Sequence, residues 1–326
     1  MAPPSVILFT FVISVTLVWV MIAGYLPVRL PMDVPNERSL HSQPVPRCGG
    51  VAVMLAVSLA FAFFATEQYL AIGVSLVLAV LSFIDDMTGL PITIRLVTHF
   101  ACAAVFASQL PLPWPVILLS TVGLAASANI YNFMDGANGL AAGVAVIGFA
   151  FFAAAAQMAG DSDLALISAV IASATAGFLL FNFGRARVFL GDVGSIPIGF
   201  LAGAISLSGW IRGTWPLIFP LLVFSPFILD ASTTLLRRAV TGRIVWHSHR
   251  EHYYQRLIQM GWGHPRIAIT YYVLTLAVGL LGLALLTAPS SIQWSGVTMV
   301  LCIAAILMRK TDALWGQWAK VNNLLR

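Results

Sequence analysis

Aspartates recur just beyond long apolar runs: Asp33 in DVPNERSLHSQPVPRCGG, the pair Asp85 and Asp86 in IDDMTGL, Asp135 in NIYNFMDGANGL, and Asp192 in FLGDVGS. Carboxylates are costly at membrane depth, so keeping them at the ends of hydrophobic segments points to a polar site that does chemistry. Adjacent Asp85 and Asp86 repel each other and stay ionised together only beside a cation or basic group. A hard divalent cation with oxygen ligands, typically magnesium that also holds substrate phosphates, is the usual compensation. For the pair alone, a solvated helix end is the plainer alternative.

The other motifs have matching chemistry. NIYNFMDGANGL packs Asn129, Asn132, Asp135 and Asn138 into ten residues with Gly136 and Gly139. Asparagine amides bind a nucleobase edge or a metal, and glycine permits close backbone approach or positive φ. In FLGDVGS, Gly191 and Gly194 bracket Asp192, and Ser195 is placed to N-cap the following helix, whose first amides would face an anion. Fifteen of the seventeen basic residues are arginine, whose planar fork binds phosphate bidentately. The segment HSHREHYYQRL adds His247, His249, Arg250 and His252. H-x-H-x-x-H spacing would suit zinc, but no thiolate or carboxylate spacing nearby completes a zinc pattern, and a phosphate-contacting cationic loop fits equally well.

The elements that must position these residues are membrane helices. Of 326 residues, 60% are hydrophobic and 9% charged, with mean hydropathy +0.93, which excludes an ordinary soluble domain. A span of about 17–25 apolar residues crosses a hydrocarbon core of about 30 Å. Eleven such runs are expected near 5–26, 48–65, 69–84, 96–110, 114–129, 139–158, 164–182, 195–211, 214–235, 268–288 and 291–308. Ten is the alternative count, because the third to fifth are short. The expected fold is all-α: a single polytopic bundle over 1–326 with active-site loops near 27–47, 85–95, 129–139, 182–195 and 236–267.

Alternating the spans puts sixteen of seventeen Lys and Arg on one side and leaves Arg212 on the other. Positive residues are retained in the cytoplasm, so the N-terminus is expected outside, the C-terminus inside, and all four acidic motifs at the cytoplasmic face. Glu67, Asp161 and Asp163 then fall in outer loops without a motif. The net charge of +5 reflects this orientation and attraction to anionic lipid, not nucleic acid. Cys48, Cys102 and Cys302 have no pairable spacing and are expected as free thiols packed like small apolar groups. His99 is expected to bridge helices, and His264 to lie in a loop.

In this order, DVPNERSLHSQPVPRCGG, FIDDMTGL, NIYNFMDGANGLA, FLGDVGS and the histidine segment resemble the polyprenyl-phosphate N-acetylhexosamine-1-phosphate transferase superfamily, over residues 31–257. The resemblance implies a multi-pass protein of the bacterial cytoplasmic membrane that transfers a sugar-1-phosphate from a UDP-N-acetylhexosamine to undecaprenyl phosphate, releasing UMP. It implies magnesium, with manganese able to replace it. Carried over, Asp192 matches the main metal ligand and Asn132 a second metal position. Asp85 matches the carboxylate proposed to deprotonate or orient the lipid phosphate, Asp86 its partner, and Arg95 the base paired with Asp85. Asp135 and Gly136 match nucleoside-contacting positions. Asp33, Asn129, Asn138, His247, His249 and Arg250 join the expected substrate contacts, and His252 occupies the family's histidine position. Asn138 replaces an aspartate of several relatives.

Lipid I synthase carries a triple histidine where this chain has His252-Tyr253-Tyr254-Gln255, which weakens a muramyl-pentapeptide donor. The segment looks like the O-antigen initiating branch, which handles 6-deoxy-N-acetylhexosamines such as N-acetylfucosamine or N-acetylquinovosamine. A secondary transporter is the alternative from another class, but its coupling groups would sit near the midplane; only His99 and Asp230 fall inside spans, and Asp230 is near the inner end of its helix. A homodimer is left open.

Overall fold

The computed structural model describes residues 4–25, 31–33, 44–244 and 249–322, and their architecture is helical. The first eight expected spans are α1 (Pro4–Ile22), α2 (Gly49–Phe63), α3 (Tyr69–Thr88), α4 (Ile92–Ala107), α5 (Trp114–Phe133), α6 (Leu140–Met158), α7 (Ser162–Asn182) and α8 (Asp192–Ile211). The ninth is not one helix. It breaks at Phe224 into α9 (Ile218–Val223) and α10 (Ser225–Val240), because Pro226 lacks the N–H that a continuous helix would use and its ring crowds the preceding turn. A short amphipathic helix, α11 (Tyr253–Gln259), precedes α12 (His264–Leu285) and α13 (Ser290–Val321).

Among the described residues, eight helices are long and apolar enough to cross a membrane; α2 and α4 are shorter apolar helices. The eleven expected runs thus appear as eight long helices, two short ones and one broken one. His264 opens α12 instead of lying in a loop.

The buried centre is formed by α6, α7 and α8. Helices α3 and α8 pack side by side so that Asp85 and Asp86, in the last turn of α3, meet Asp192, in the first turn of α8. A two-residue strand pair, β1 (Met32–Asp33) with β2 (Val45–Pro46), sets Asp33 opposite Val45 and delivers Arg47 to that junction. Helix α13 has 32 residues, about 48 Å at 1.5 Å per residue. It outruns a hydrocarbon core of about 30 Å, and its last turns reach α11. Cys48 and Cys102 are buried free thiols as expected, whereas Cys302, on the lightly packed α13, is exposed.

Candidate active site

Asp85 and Asp86 are each engaged from a different side. Asp85 accepts the Leu90 N–H at 2.7 Å and the Arg95 guanidinium at 3.1 Å. Gly89, left-handed at φ +68°, ends α3 and turns the chain so that Arg95, one turn into α4, points back at that carboxylate. Asp86 accepts from Arg47 at 2.5 Å. Asp192 lies between the two cations, 3.6 Å from Arg47 and 3.8 Å from Arg95. The order is therefore Asp86, Arg47, Asp192, Arg95, Asp85.

Backbone pairing holds Arg47 in place. The Phe189 N–H donates to Pro46 O at 2.7 Å, Gly49 N–H to Phe189 O at 2.9 Å, and Gly50 N–H to Leu190 O at 2.8 Å. A Cβ on Gly50 would run into the backbone of Gly194, and one on Gly191, at φ +73°, into the Arg47 carbonyl. The glycines of RCGG and LGDVG are thus required so that two backbones can touch beside the carboxylates. Ser195 does not cap α8. The helix begins at Asp192 with Gly191 before it, and the Ser195 hydroxyl instead donates to Asn132 Oδ1 at 2.7 Å and Gly191 O at 3.1 Å.

Asn132, near the end of α5, also hydrogen-bonds the Asp192 carboxylate, so the two expected metal positions adjoin. Asn129 lies a turn deeper, bonded to Ala125 O at 2.7 Å and meeting His99 Nδ1 at 3.2 Å, so His99 does bridge α4 and α5. Asn138 is spent on tying loops together: its N–H donates to His264 Nδ1 at 3.1 Å and its amide to Gly184 O at 2.7 Å. Asp135 sits in the turn between Asn132 and Asn138. Removal from water, followed by repulsion from Asp192, pushes its carboxyl well above the usual carboxylate range; Arg47 pulls it back and Asp86 adds to the rise.

From His249 onward the histidine segment is packed, not a loop outside the helices. His252 is 2% exposed and precedes α11, its N–H donating to Gln255 Oε1 at 3.3 Å. Its ring stacks on Phe133 and Tyr254, 6.0 Å between centroids in each case, and lies 4.9 Å from His249. Its Nδ1 is 3.4 Å from Asp230. Much of the expected cationic loop is already neutralised: Arg238 and Arg243 pair with Glu251, and Arg237 and Arg256 with Asp312 of α13. Arg250 is half-buried, its carbonyl accepting from Gln259 at 2.8 Å. His247 lies outside the described residues.

The model of glycosyl transferase family 4 matches residues 68–210. The decaprenyl-phosphate N-acetylglucosaminephosphotransferase of Mycobacterium leprae is 30% identical, the match covering 77% of this chain and 76% of that protein. The chain belongs to this family. The probable undecaprenyl-phosphate N-acetylglucosaminyl 1-phosphate transferase of Bacillus subtilis is 26% identical over 74% of each chain. A phospho-N-acetylmuramoyl-pentapeptide-transferase of Bacillus pumilus is 26% identical over 86% of this chain and 97% of that protein.

As a family 4 polyprenyl-phosphate sugar-1-phosphate transferase, the protein must manage phosphate charge. Three carboxylates (Asp85, Asp86, Asp192) face two guanidiniums (Arg47, Arg95), an arrangement short of positive charge that a divalent cation would complete. Asp86 Oδ2 is buried with no well-formed hydrogen bond, the Val193 N–H being the backbone donor that approaches this carboxylate. No three His, Cys, Asp or Glu side chains among the described residues converge tightly enough to hold a metal alone. Magnesium would not require three, since it commonly takes one or two carboxylates and completes its shell with substrate phosphates and water.

Two site residues escape sequence reasoning. Arg47 reads as one more orientation charge, although the two glycines after it mark a tight backbone approach. Asp230 reads as a helix-end residue, yet it is 1% exposed and accepts from Tyr253 N–H, Tyr254 N–H and the Tyr271 hydroxyl. That set of partners makes it an anchor for α11 rather than a transport coupling group.

Proposed function

We propose that the protein transfers an N-acetylhexosamine-1-phosphate from its UDP-sugar to undecaprenyl phosphate at the cytoplasmic face of the bacterial inner membrane. An oxygen of the lipid phosphate bonds to the β-phosphorus, the bond from that phosphorus to the α–β bridging oxygen breaks, and UMP leaves with that oxygen. The supporting observation is the alternation of carboxylates Asp86, Asp192 and Asp85 with Arg47 and Arg95 where α2, α3, α4 and α8 meet. Phosphoryl transfer asks little covalent help of a protein but much neutralisation and in-line positioning.

Asp85 orients the lipid phosphate and takes its proton where one is present. Arg47 and Arg95, both partly exposed, turn from the carboxylates to phosphate oxygens as substrate enters. Asp192 and Asn132 hold magnesium or manganese, which when bound supplies charge neutralisation on the diphosphate. Asp135, with the turn around it, receives the nucleoside. The donor we propose is a 6-deoxy-N-acetylhexosamine, on the pattern of the His252-Tyr253-Tyr254-Gln255 segment, for O-antigen initiation.

Purified enzyme with undecaprenyl phosphate and magnesium, given a panel of UDP-sugars, is expected to release UMP fastest from UDP-N-acetylfucosamine or UDP-N-acetylquinovosamine. Fastest release from UDP-N-acetylglucosamine would reassign the branch. Fastest release from UDP-N-acetylmuramoyl-pentapeptide would favour the lipid I reaction, and UMP from no donor would sink the reading.

A further inference from the structure

Tyr254 is the second residue of α11 and is fully buried. Its N–H donates to Asp230 Oδ2 at 3.1 Å, beside the Tyr271 hydroxyl at 2.5 Å, while the Tyr253 N–H donates to Oδ1 at 2.8 Å. Helix α11 is thereby fastened to a buried carboxylate of α10. From that anchor the Tyr254 ring crosses to the asparagine turn, where its hydroxyl donates to Phe133 O at 3.0 Å. Phe133 ends α5, so its carbonyl has no acceptor role left within the helix and is open to such a donor.

The same hydroxyl occupies the space that a side chain at 136 would need. A Cβ on Gly136 would overlap the Tyr254 oxygen and come within 3.1 Å of Cζ and 3.4 Å of Cε2. Gly136 is not among the glycines with positive φ, so backbone conformation does not demand glycine there. The Tyr254 hydroxyl does.

We propose that Tyr254 is a positioning residue for the nucleotide sugar: its hydroxyl, braced through α11 on Asp230, sets the register of the 133–136 turn and so places Asp135. This rests on the reading above, which takes that turn as the nucleoside end of the site. It joins two motifs 118 residues apart in sequence, FMDG and HYYQRL, through one hydrogen bond and one missing Cβ.

The test is a double-mutant cycle of Tyr254→Phe, Gly136→Ala and the two together, on the full chain in detergent, with KM for the UDP-sugar, kcat and melting temperature all measured. Tyr254→Phe keeps the ring and removes one neutral hydrogen bond, so KM for the donor should rise about fivefold with kcat within about twofold. Gly136→Ala should raise that KM more, because the buried ring cannot retreat from the new methyl group. The double variant should recover at least about threefold of the Gly136→Ala loss, since deleting the hydroxyl opens the contested space. Additive losses without rescue would overturn the proposal. So would rescue confined to melting temperature with KM unmoved, which would make the contact structural only. Failure of the wild type to release UMP from any donor would instead remove the functional reading on which it stands.

Discussion

At the start of α3, Arg212 meets Glu67 at 3.3 Å, Asp161 at 3.0 Å and Asp163 at 3.1 Å; at its end, Arg47 and Arg95 meet Asp85, Asp86 and Asp192. The 20 residues of α3 separate the two clusters by about 30 Å. The residue types match, but their satisfaction does not. Asp163 accepts from Thr66, the Glu67 N–H, Gln68 and Arg212. Asp161 caps α7 through the Leu164 N–H and also accepts from Thr214 and Arg212. Every oxygen of those two carboxylates has a protein partner. At the other end Asp86 Oδ2 has no well-formed bond, and the contacts of Asp192 with its arginines, at 3.6 and 3.8 Å, are too long for good hydrogen bonds. A cluster whose bonds are complete fastens loops, whereas one left short of donors and cations is built to receive a ligand.

Asp192→Asn should give the largest separation between the two ends. Loss of formal charge at the expected metal position should cut UMP release by at least about a hundredfold, the usual scale for one lost transition-state contact. The purified variant should remain monodisperse. Turnover above about a tenth of wild type at saturating magnesium would erase the distinction.

Arg212→Ala probes the fastening end and should do the reverse. Its three ion pairs are partly exposed, so a stability loss of about 1 kcal/mol is expected, read as a melting temperature a few degrees lower. Turnover at a permissive temperature should stay within about twofold. A large drop in turnover without a change in melting would show that this end, too, acts on the reaction.

The contrast explains what the sequence discloses and what it hides. Asp85, Asp86, Asn132 and Asp192 are legible because each stands in a short motif whose spacing is fixed by one helix end. The family resemblance, not local spacing, marks Arg95 as the partner of Asp85, ten residues on. Arg47, Asp230 and Asp312 are not legible, because their partners lie 39, 24 and 56 residues away and no local pattern records such pairings. Glu67, Asp161 and Asp163 look idle in sequence for the same reason, until the fold gathers them on Arg212. The break between α9 and α10 was available in Pro220 and Pro226, but the apolar run around them conceals it. Burial of His252 and Tyr254 follows from Asp230, and so could not precede it.

Acid titration should give a smaller effect, at a third place, the start of α11. His249 precedes α11 and stacks against His252, its Nδ1 accepting the Glu251 N–H at 3.3 Å. Burial comes first, then the neighbouring His252 and Arg238, in lowering its pKa from 6.5 to about 4, against an upward pull from Glu251. Because the folded value lies below the unfolded one, the ring binds more protons in the unfolded chain between about pH 4 and 6.5, and the contribution of His249 to stability falls as pH drops through that window. Protonation would also cost the bond from Glu251. The wild type should therefore lose more melting temperature between pH 7 and pH 5 than His249→Gln, which carries no titrating ring. Equal losses would assign the acid sensitivity to groups other than His249. Turnover at pH 7 should change little in the wild-type comparison at pH 6, as far as His249 is concerned, because the ring is already neutral at both.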